Sequence, residues 1–342
     1  MYEYVSRDRV KIGTSLTEKE IDELIHDSEL DVLQFSEPLD EALPDALNER
    51  FFAHRPDVWL RVYGHYAEAA DLRFLARMTH VTKLSLDCLM DAANLDAIAH
   101  LCKLEALRLD IYQLNSLDVL YDVPDSLDYL HIGKTKSKKP DLYAIQRFGR
   151  LRTLEIYGQN RNIDAIRYLK QLDTLAIGST TLDDVSYLAS LPKLRSLELS
   201  NLGLRDMHAL ATLTRIEQLK LWNAKLPGDL SFISGLNALQ ELTLEAMASV
   251  EELPKLSNLR DLRSIRLENM KNLKRLDELE DAPALEEFAH YFVAKLTPAH
   301  FLPVLRNPSV RKVNLGFQSA KKYEAFEKLA VLHGKTPRSW YR

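Results

Sequence analysis

The residues with the greatest capacity for chemistry in this sequence are ten histidines and two cysteines. They do not form a catalytic pattern, since the sequence has no G-x-G-x-x-G, G-x-x-x-x-G-K-[ST], H-E-x-x-H or G-x-S-x-G segment. No two histidines stand at ligand spacing on a predicted helix face. We therefore expect no enzymatic activity, no cofactor and no metal site.

The two cysteines, Cys88 and Cys102, are too few for a disulfide framework. Cys88 follows a predicted strand, and Cys102 lies in the segment that comes after it. The two could therefore be neighbours, and small thiols in this position usually fill the core.

The elements that position these residues are repeats, because an apolar pattern L-x-x-L-x-L recurs eleven times along the chain. Successive copies start 21 to 25 residues apart, which indicates one structural unit stacked on copies of itself. The copies start at Val81, Leu104, Leu127, Leu151, Leu172, Leu194, Ile216, Leu239, Leu262, Leu285 and Val310.

One repeat, residues 194–215, shows how the unit works. Leu197 and Leu199 have strand spacing and face the same side, whereas the residues between and around them face the other way. A second apolar series at intervals of three residues is typical of a short 3₁₀ return. That series is Leu204, Met207, Leu210 and Leu213. Every repeat runs in the same direction, so the strands must be parallel.

These repeats resemble the leucine-rich repeat family, and the resemblance covers most of the chain. Their length is similar to that of the repeats in the regulatory subunit of protein phosphatase 1 and in bacterial internalins. The resemblance implies an α/β solenoid, a horseshoe with a parallel concave sheet and short 3₁₀ or irregular convex returns. The family places Asn just after the strand, but here Asn201, Asn223 and Asn269 stand one residue early. We therefore expect the asparagine ladder to be weak or shifted.

Helical caps are predicted at both ends. Thr17–Glu20 forms a capping box before an amphipathic helix, and Lys321–Leu332 forms a second helix that Gly334 ends. We predict three segments: an N-terminal cap with an irregular first repeat (1–57), the repeats (58–317), and a C-terminal capping helix and tail (318–342). Repeat proteins need such caps because their end leucines would otherwise meet water.

Two places break the repeat pattern. Residues 133–140, GKTKSKKP, form a basic turn in which Lys134–Lys139 are predicted to be solvated. His290 stands where the other strands carry Leu or Ile, and we expect its ring to bond to the backbone of a disturbed repeat.

The outward side chains of the strands are the candidate binding site. Stacked strands would place Trp222 near other aromatic and charged side chains, and exposed aromatics are typical of protein-binding hot spots. The predicted partner-binding residues are Tyr129, Glu155, Tyr157, Glu198, Lys220, Trp222, Glu241, Glu245, Arg266, Glu268 and Tyr291.

Composition narrows the class of partner. The net charge is −5, which gives no reason to expect nucleic acid or an anionic membrane. No apolar run is long enough to cross a membrane, and the start has no signal-peptide core. We therefore predict a cytoplasmic location, another protein as partner and no small-molecule substrate.

The predicted function is a non-catalytic interaction module that holds a folded partner on its concave face. One alternative is a regulatory or inhibitory subunit of an enzyme, as the resemblance to phosphatase regulators implies. Another is a bacterial immunity-type protein that blocks a toxin. A catalytic effector such as a ubiquitin ligase would need a further domain, for which no residues remain.

Overall fold

The computed structural model describes residues 1–226, 230–293 and 295–339. The chain divides by its internal contacts into two units, Met1–Leu172 and Asp173–Arg342. In both units, strands alternate with short helical returns, as the leucine spacing predicts. The predicted division into 1–57, 58–317 and 318–342 stays a prediction, and its last residues, 340–342, lie outside the described residues.

The first unit contains an almost entirely parallel sheet. Its strands are β1 (Tyr2–Ser6), β2 (Arg9–Ile12), β3 (Val32–Phe35), β4 (Trp59–Tyr63), β5 (Ala70–Asp71), β6 (Lys83–Leu89), β7 (Ala92–Ala93), β8 (Ala106–Ile111), β9 (Tyr129–Ile132) and β10 (Thr153–Tyr157). β1 and β2 form an antiparallel hairpin that the sequence pattern did not predict. From β2 onward the strands pair in parallel in the order β2-β3-β4-β6-β8-β9-β10, and β5 pairs with β7.

The second unit repeats this arrangement with parallel strands. They are β11 (Thr174–Gly178), β12 (Thr181–Leu182), β13 (Ser196–Ser200), β14 (Gly203–Leu204), β15 (Gln218–Trp222), β16 (Glu241–Glu245), β17 (Ser264–Glu268), β18 (Glu287–Val293), β19 (Lys312–Phe317) and β20 (Thr336–Ser339). The order is β11-β13-β15-β16-β17-β18-β19-β20, and β12 pairs with β14. The predicted parallel sheet is confirmed.

The returns between strands are short 3₁₀ helices, which confirms the prediction made from three-residue spacing. In the first unit they are Arg73–Arg77, Leu95–His100, Asp118–Tyr121, Leu142–Arg147 and Ile163–Tyr168. In the second unit they are Ser186–Ser190, His208–Thr212, Ser231–Gly235, Asp277–Leu279 and Pro298–Phe301.

The core is built from the repeating leucines. Leu197 and Leu199 are fully buried and lie in register with Leu219 and Leu221 of the next repeat. In the return, Leu204, Leu210 and Leu213 are buried as well, while Met207 is half-buried. A fully buried leucine contributes about 1.5–3 kcal/mol, so the repeats stabilise one another by sharing this interior.

A helix lies near each end of the chain, but strands β1 and β20 stand outside them at the edges of the sheet order. Helix α1 (Glu18–Ile25) begins at Thr17, whose side chain accepts a hydrogen bond from the Glu20 amide while the Glu20 carboxylate accepts one from the Thr17 amide. This is the predicted capping box. The remaining helices are α2 (Leu43–Ala46), which continues as a π-helix over Leu47–Phe52, α3 (Leu302–Arg306) and α4 (Ala320–Leu332). Gly334 has φ +68° and ends α4, as predicted.

A left-handed residue follows most of the strands, two positions after the last strand leucine. Asn201, Asn223 and Asn269 have φ of 48°, 46° and 52°. Asn tolerates this region better than other residues that carry a Cβ. The amides of the three asparagines bond to the next strand, as in Asn201 N to Trp222 O at 2.8 Å and Asn223 N to Glu245 O at 2.8 Å. The turn is therefore shifted by one residue, as the early asparagines suggest.

The equivalent residue on β18 is Phe292, with φ 54°. Its side chain is 55% exposed, although a bulky residue in this region is strained. The strain is therefore not offset by burial of the ring.

His290 lies inside the second unit, beside Leu267 and Leu315 of the neighbouring strands. It is 1% exposed and packs against the Phe301 ring at a centroid distance of 6.0 Å. The prediction that it bonds to the backbone is wrong, because neither ring nitrogen has a hydrogen-bond partner among the described residues. Burial lowers the pKa of His290 to about 4.

We predict that His290→Leu makes the protein more resistant to acid. The unfolded chain binds a proton at His290 near pH 6.5 and the folded chain only near pH 4. The wild type therefore keeps its full stability above pH 6.5 and loses about 3 kcal/mol of its free energy of unfolding as the pH falls from 6.5 to 4. Urea unfolding of both proteins across this range measures the difference.

The control for this prediction is His100→Leu, at an exposed position. It should leave the acid-side slope as in the wild type. Equal slopes for the wild type and His290→Leu would contradict the burial of a neutral imidazole.

We predict that Phe292→Asn stabilises the protein, because Asn fits the left-handed backbone and little ring burial is lost. The expected gain is about 1 kcal/mol. The reverse change one repeat earlier, Asn269→Phe, should destabilise by a similar amount. Thermal unfolding of both variants tests this, and a loss of stability in Phe292→Asn would show that the ring is held by contacts worth more than the strain.

Candidate protein-binding face

The outward side chains of β11–β19 form a surface that we call the strand face. Strand register places equivalent residues side by side, about 4.8 Å apart. One row consists of Ser200, Trp222, Glu245, Glu268 and Tyr291, taken in order from β13 to β18. Residues more than twenty positions apart in sequence are thus neighbours on this face.

Eight of the predicted partner-binding residues lie on the strand face. They are Glu198, Lys220, Trp222, Glu241, Glu245, Arg266, Glu268 and Tyr291. Trp222 is 36% exposed, and Glu241 and Arg266 are exposed as well. The other five are half-buried by their neighbours.

Ion pairs join many of the charged residues of this face. Lys220 Nζ lies 3.1 Å from Glu198 Oε2, and Arg266 Nη2 lies 2.9 Å from Glu268 Oε2. The Arg266 guanidinium also stacks on the Tyr291 ring, 5.0 Å from its centroid. The face is therefore a preformed surface with an aromatic residue near each end of the row.

Glu245 stands between Trp222 and Glu268 in this row. Burial raises the pKa of Glu245, and the nearby carboxylate of Glu268 raises it further. The arrangement is unfavourable for the isolated protein, since like charges side by side on neighbouring strands are destabilising.

Phe292 is a residue of this surface that the sequence did not reveal. It follows the half-buried Tyr291 directly and adds an exposed ring at the same end of the row. The signal in the sequence is that six of the other ten repeats place Asn, Gly, Ser or Ala at this position, as in Asn269, Gly158, Ser179 and Ala246.

The other three predicted residues, Tyr129, Glu155 and Tyr157, belong to the first unit. There they contact a group that we call the polar cluster. It comprises Arg61, Asp87, Arg108, Asp110, His131 and Glu155. The Trp59 and Tyr129 rings meet edge to face at 5.8 Å. Ser85 and His131, which lie in the outward row between the two rows of strand leucines, are buried. These outward positions are therefore partly covered by the protein itself.

Hydrogen bonds tie the polar cluster together. His131 Nδ1 donates to Glu155 Oε2 at 2.7 Å, and the His131 ring lies 5.5 Å from the Tyr157 ring. The bond from His131 lowers the pKa of Glu155 despite its burial. Burial raises the pKa of Asp110, whose carboxylate lies where a side chain at Gly133 would have to stand.

A salt bridge anchors the other end of the cluster. Arg61 Nε donates to Asp87 Oδ2 at 2.8 Å, and Arg61 Nη1 donates to Gln34 Oε1 at 2.6 Å. Both members of the pair are largely covered, with 16% of each side chain exposed. Arg61 and Asp87 compensate each other at this end, as His131 and Glu155 do at the other, so we assign these two pairs first to stability.

The cysteines do not fill the core, and that prediction is wrong. Cys88 and Cys102 are both exposed. Cys88 is left-handed, and its thiol donates to Asp87 Oδ1 at 3.1 Å. Burial of the sulfur and the Asp87 carboxylate raise the pKa of the Cys88 thiol to about 11, which disfavours the reactive thiolate.

The other candidate features of the chain are a metal site, the basic turn and a membrane span. Within the described ranges, no group of three or more His, Cys, Asp or Glu side chains is placed to hold a metal ion. The lysines of the basic turn, Lys134–Lys139, are exposed as predicted. No helix among the residues described has both the length and the apolar character of a membrane span.

We predict that Asp87→Ala destabilises the first unit, because it leaves the covered Arg61 guanidinium without its carboxylate. The expected loss is about 2 kcal/mol, below the range for a fully buried pair. Asp183→Ala is the control, since it breaks the exposed Asp183–Arg205 pair and should cost less than about 1 kcal/mol. Urea unfolding compares them, and equal losses would contradict a structural role for the cluster.

The architecture of this chain is similar to that of known proteins. No protein-family model matches the sequence, and no curated protein matches it either. An internalin, InlF from Listeria monocytogenes, is similar in structure with a TM-score of 0.58 and 17% identity, over 89% of this chain and 90% of that one. A leucine-rich repeat protein from Leptospira interrogans is similar in structure with a TM-score of 0.53 and 17% identity, over 95% of this chain and 93% of that one.

The functional domain of InlJ from Listeria monocytogenes is described as including a cysteine ladder. It is similar in structure with a TM-score of 0.53 and 17% identity, over 90% of this chain and 63% of that one. At these identities the similarity establishes the fold. Parallel strands, 3₁₀ returns and a shared leucine interior agree with it. The chain therefore has the leucine-rich repeat fold of the internalins.

Proposed function

We propose that this protein is a non-catalytic interaction module that binds another protein with the strand face of its second unit. The observation that carries the proposal is Trp222, a tryptophan exposed on a sheet among charged side chains. Charges alone would be explained by solubility. An exposed tryptophan is not, because large aromatics on a surface are typical of binding hot spots.

The geometry around Trp222 supports this role. Tyr291 lies three strands away in the same row, roughly 14 Å along the sheet. Phe292 continues the aromatic end, and the ion pairs Lys220–Glu198 and Arg266–Glu268 hold the charged side chains in place. A partner would meet rigid anchors, which lose little entropy on binding.

Strain at Phe292 is a second argument. A bulky residue is kept in the left-handed region with its ring exposed, although Asn at this position would carry less backbone strain. Strain that brings no packing in the isolated protein is expected where the side chain acts on something else.

The remaining features of the proposal are less direct. We propose a cytoplasmic location, supported by two exposed free thiols, which persist in a reducing compartment. We also propose that nucleic acid, membranes and small molecules are not partners, given the mild negative charge. We propose Tyr129, Glu155 and Tyr157 as additional contacts on the first unit.

We predict that Trp222→Ala and Phe292→Asn, singly and together, weaken capture of the main partner. The immobilised protein is used as bait in extracts of the source cell, and captured proteins are quantified by mass spectrometry. The double variant should lower capture at least about tenfold, as expected for loss of aromatic hot spots. Its melting temperature should not fall.

Tyr143→Ala and Tyr168→Ala are the controls, because both remove exposed aromatics from returns of the first unit. They should leave capture unchanged. Full capture by the double variant would rule out this face. A captured phosphatase would indicate a regulatory subunit, and a captured toxin an immunity-type inhibitor.

A further inference from the structure

The strand face carries more negative than positive side chains, and the excess negative charge comes from one strand. The outward positions of β11–β19 carry five glutamates and three basic residues. The glutamates are Glu198, Glu241, Glu245, Glu268 and Glu287, and the basic residues are Lys220, Arg266 and Lys312. Each basic residue is paired, with Glu198, Glu268 and Glu287 respectively.

Glu241 and Glu245 are the two that remain. In the part of the chain that the structure describes, neither forms an ion pair with a Lys, Arg or His side chain. They lie on the same strand, β16, with Thr243 between them on the same face. Four residues of strand separate their Cα atoms by roughly 13 Å.

The surroundings of Glu245 are suited to a cation. Trp222 is its neighbour on β15, and Glu268 is its neighbour on β17. A cationic side chain placed there would meet one unpaired carboxylate and the face of an indole, both of which attract it. It would also relieve the repulsion between the two carboxylates, which raises the pKa of Glu245 in the isolated protein.

The protein cannot supply that cation from its own strand face. Lys220 and Arg266, on the strands next to β16, are already bonded to Glu198 and Glu268, and their charges only partly offset the raised pKa of Glu245. A single metal ion does not fit the pair, because carboxylates roughly 13 Å apart cannot share the ligand sphere of one ion. A polyanion such as nucleic acid would be repelled.

We propose that the partner presents two Lys or Arg side chains roughly 13 Å apart, one bound at Glu245 beside Trp222 and the other at Glu241. This inference rests on the proposed function and names the chemistry of its partner. The partner is thus a protein with a locally basic surface, and the excess charge of β16 steers it to the aromatic anchors.

The test uses a display library of one small folded domain with a randomised surface, selected for binding to the full-length wild-type protein. Selected binders are then measured against three variants. Glu241→Gln/Glu245→Gln removes the unpaired charges while keeping side-chain shape. Asp261→Asn/Asp281→Asn makes the same change in net charge at exposed turn positions away from the strand face. Trp222→Ala reports on the face itself.

We expect binders that lose affinity in Trp222→Ala to be enriched in Lys and Arg. They should lose at least about fivefold in affinity for Glu241→Gln/Glu245→Gln, and none for Asp261→Asn/Asp281→Asn. Their affinity for the wild type should also fall as salt is raised, and less steeply for the glutamine variant.

Two other outcomes separate the proposals. Binders that depend on Trp222 but carry no basic bias, or bind the glutamine variant equally well, overturn the basic-partner inference and leave the binding face standing. A selection in which no binder depends on Trp222 overturns the proposed function as well.

Discussion

The in-register packing of leucines between successive repeats is the constraint on which the rest of this structure depends. A single repeat of about 23 residues cannot bury its own leucines, so its stability comes from the repeats on either side. Parallel pairing places Leu219 beside Leu197 and Leu242 beside Leu219. Once the buried rows are fixed, the period of two along each strand fixes the outward rows too. The surface of the sheet is thus a consequence of its core.

This constraint explains which features could be predicted from the sequence. The strand positions, the parallel pairing and the 3₁₀ returns follow from leucine spacing alone. The row of Trp222, Glu245, Glu268 and Tyr291 follows as well, because register converts equal repeat positions into neighbours. The capping box at Thr17 is local in sequence and was equally accessible.

Other features could not be predicted because they depend on contacts that no periodic pattern encodes. The β1–β2 hairpin lies outside the repeats. His290 was expected to find a backbone partner, yet its space is lined by apolar side chains such as Phe301. Trp59 contacts Tyr129 across intervening strands, and His131 is buried beside Tyr157. Phe292 looks like an ordinary apolar residue until its backbone conformation and exposure are known.

The two units are built from the same kind of repeat, but their outward charged residues are arranged differently. In the first, two pairs of outward residues, Arg61 with Asp87 and His131 with Glu155, bond to each other and compensate each other's charge. In the second, three ion pairs compensate most charges, but among the described residues both glutamates of β16 lack an ion pair, and one of them, Glu245, lies beside the exposed Trp222. Incomplete compensation costs stability in the isolated protein and favours a partner that brings the missing charge.

Carbodiimide cross-linking with mass spectrometry tests the central claim about register most directly, because it joins only amines and carboxylates already in contact. Register predicts links between Lys220 and Glu198, Lys274 and Glu251, and Lys312 and Glu287, which are 22, 23 and 25 residues apart. Each spacing is one repeat. Links from these lysines to carboxylates at unrelated spacings in the monomer would contradict the shared leucine interior and the surface derived from it.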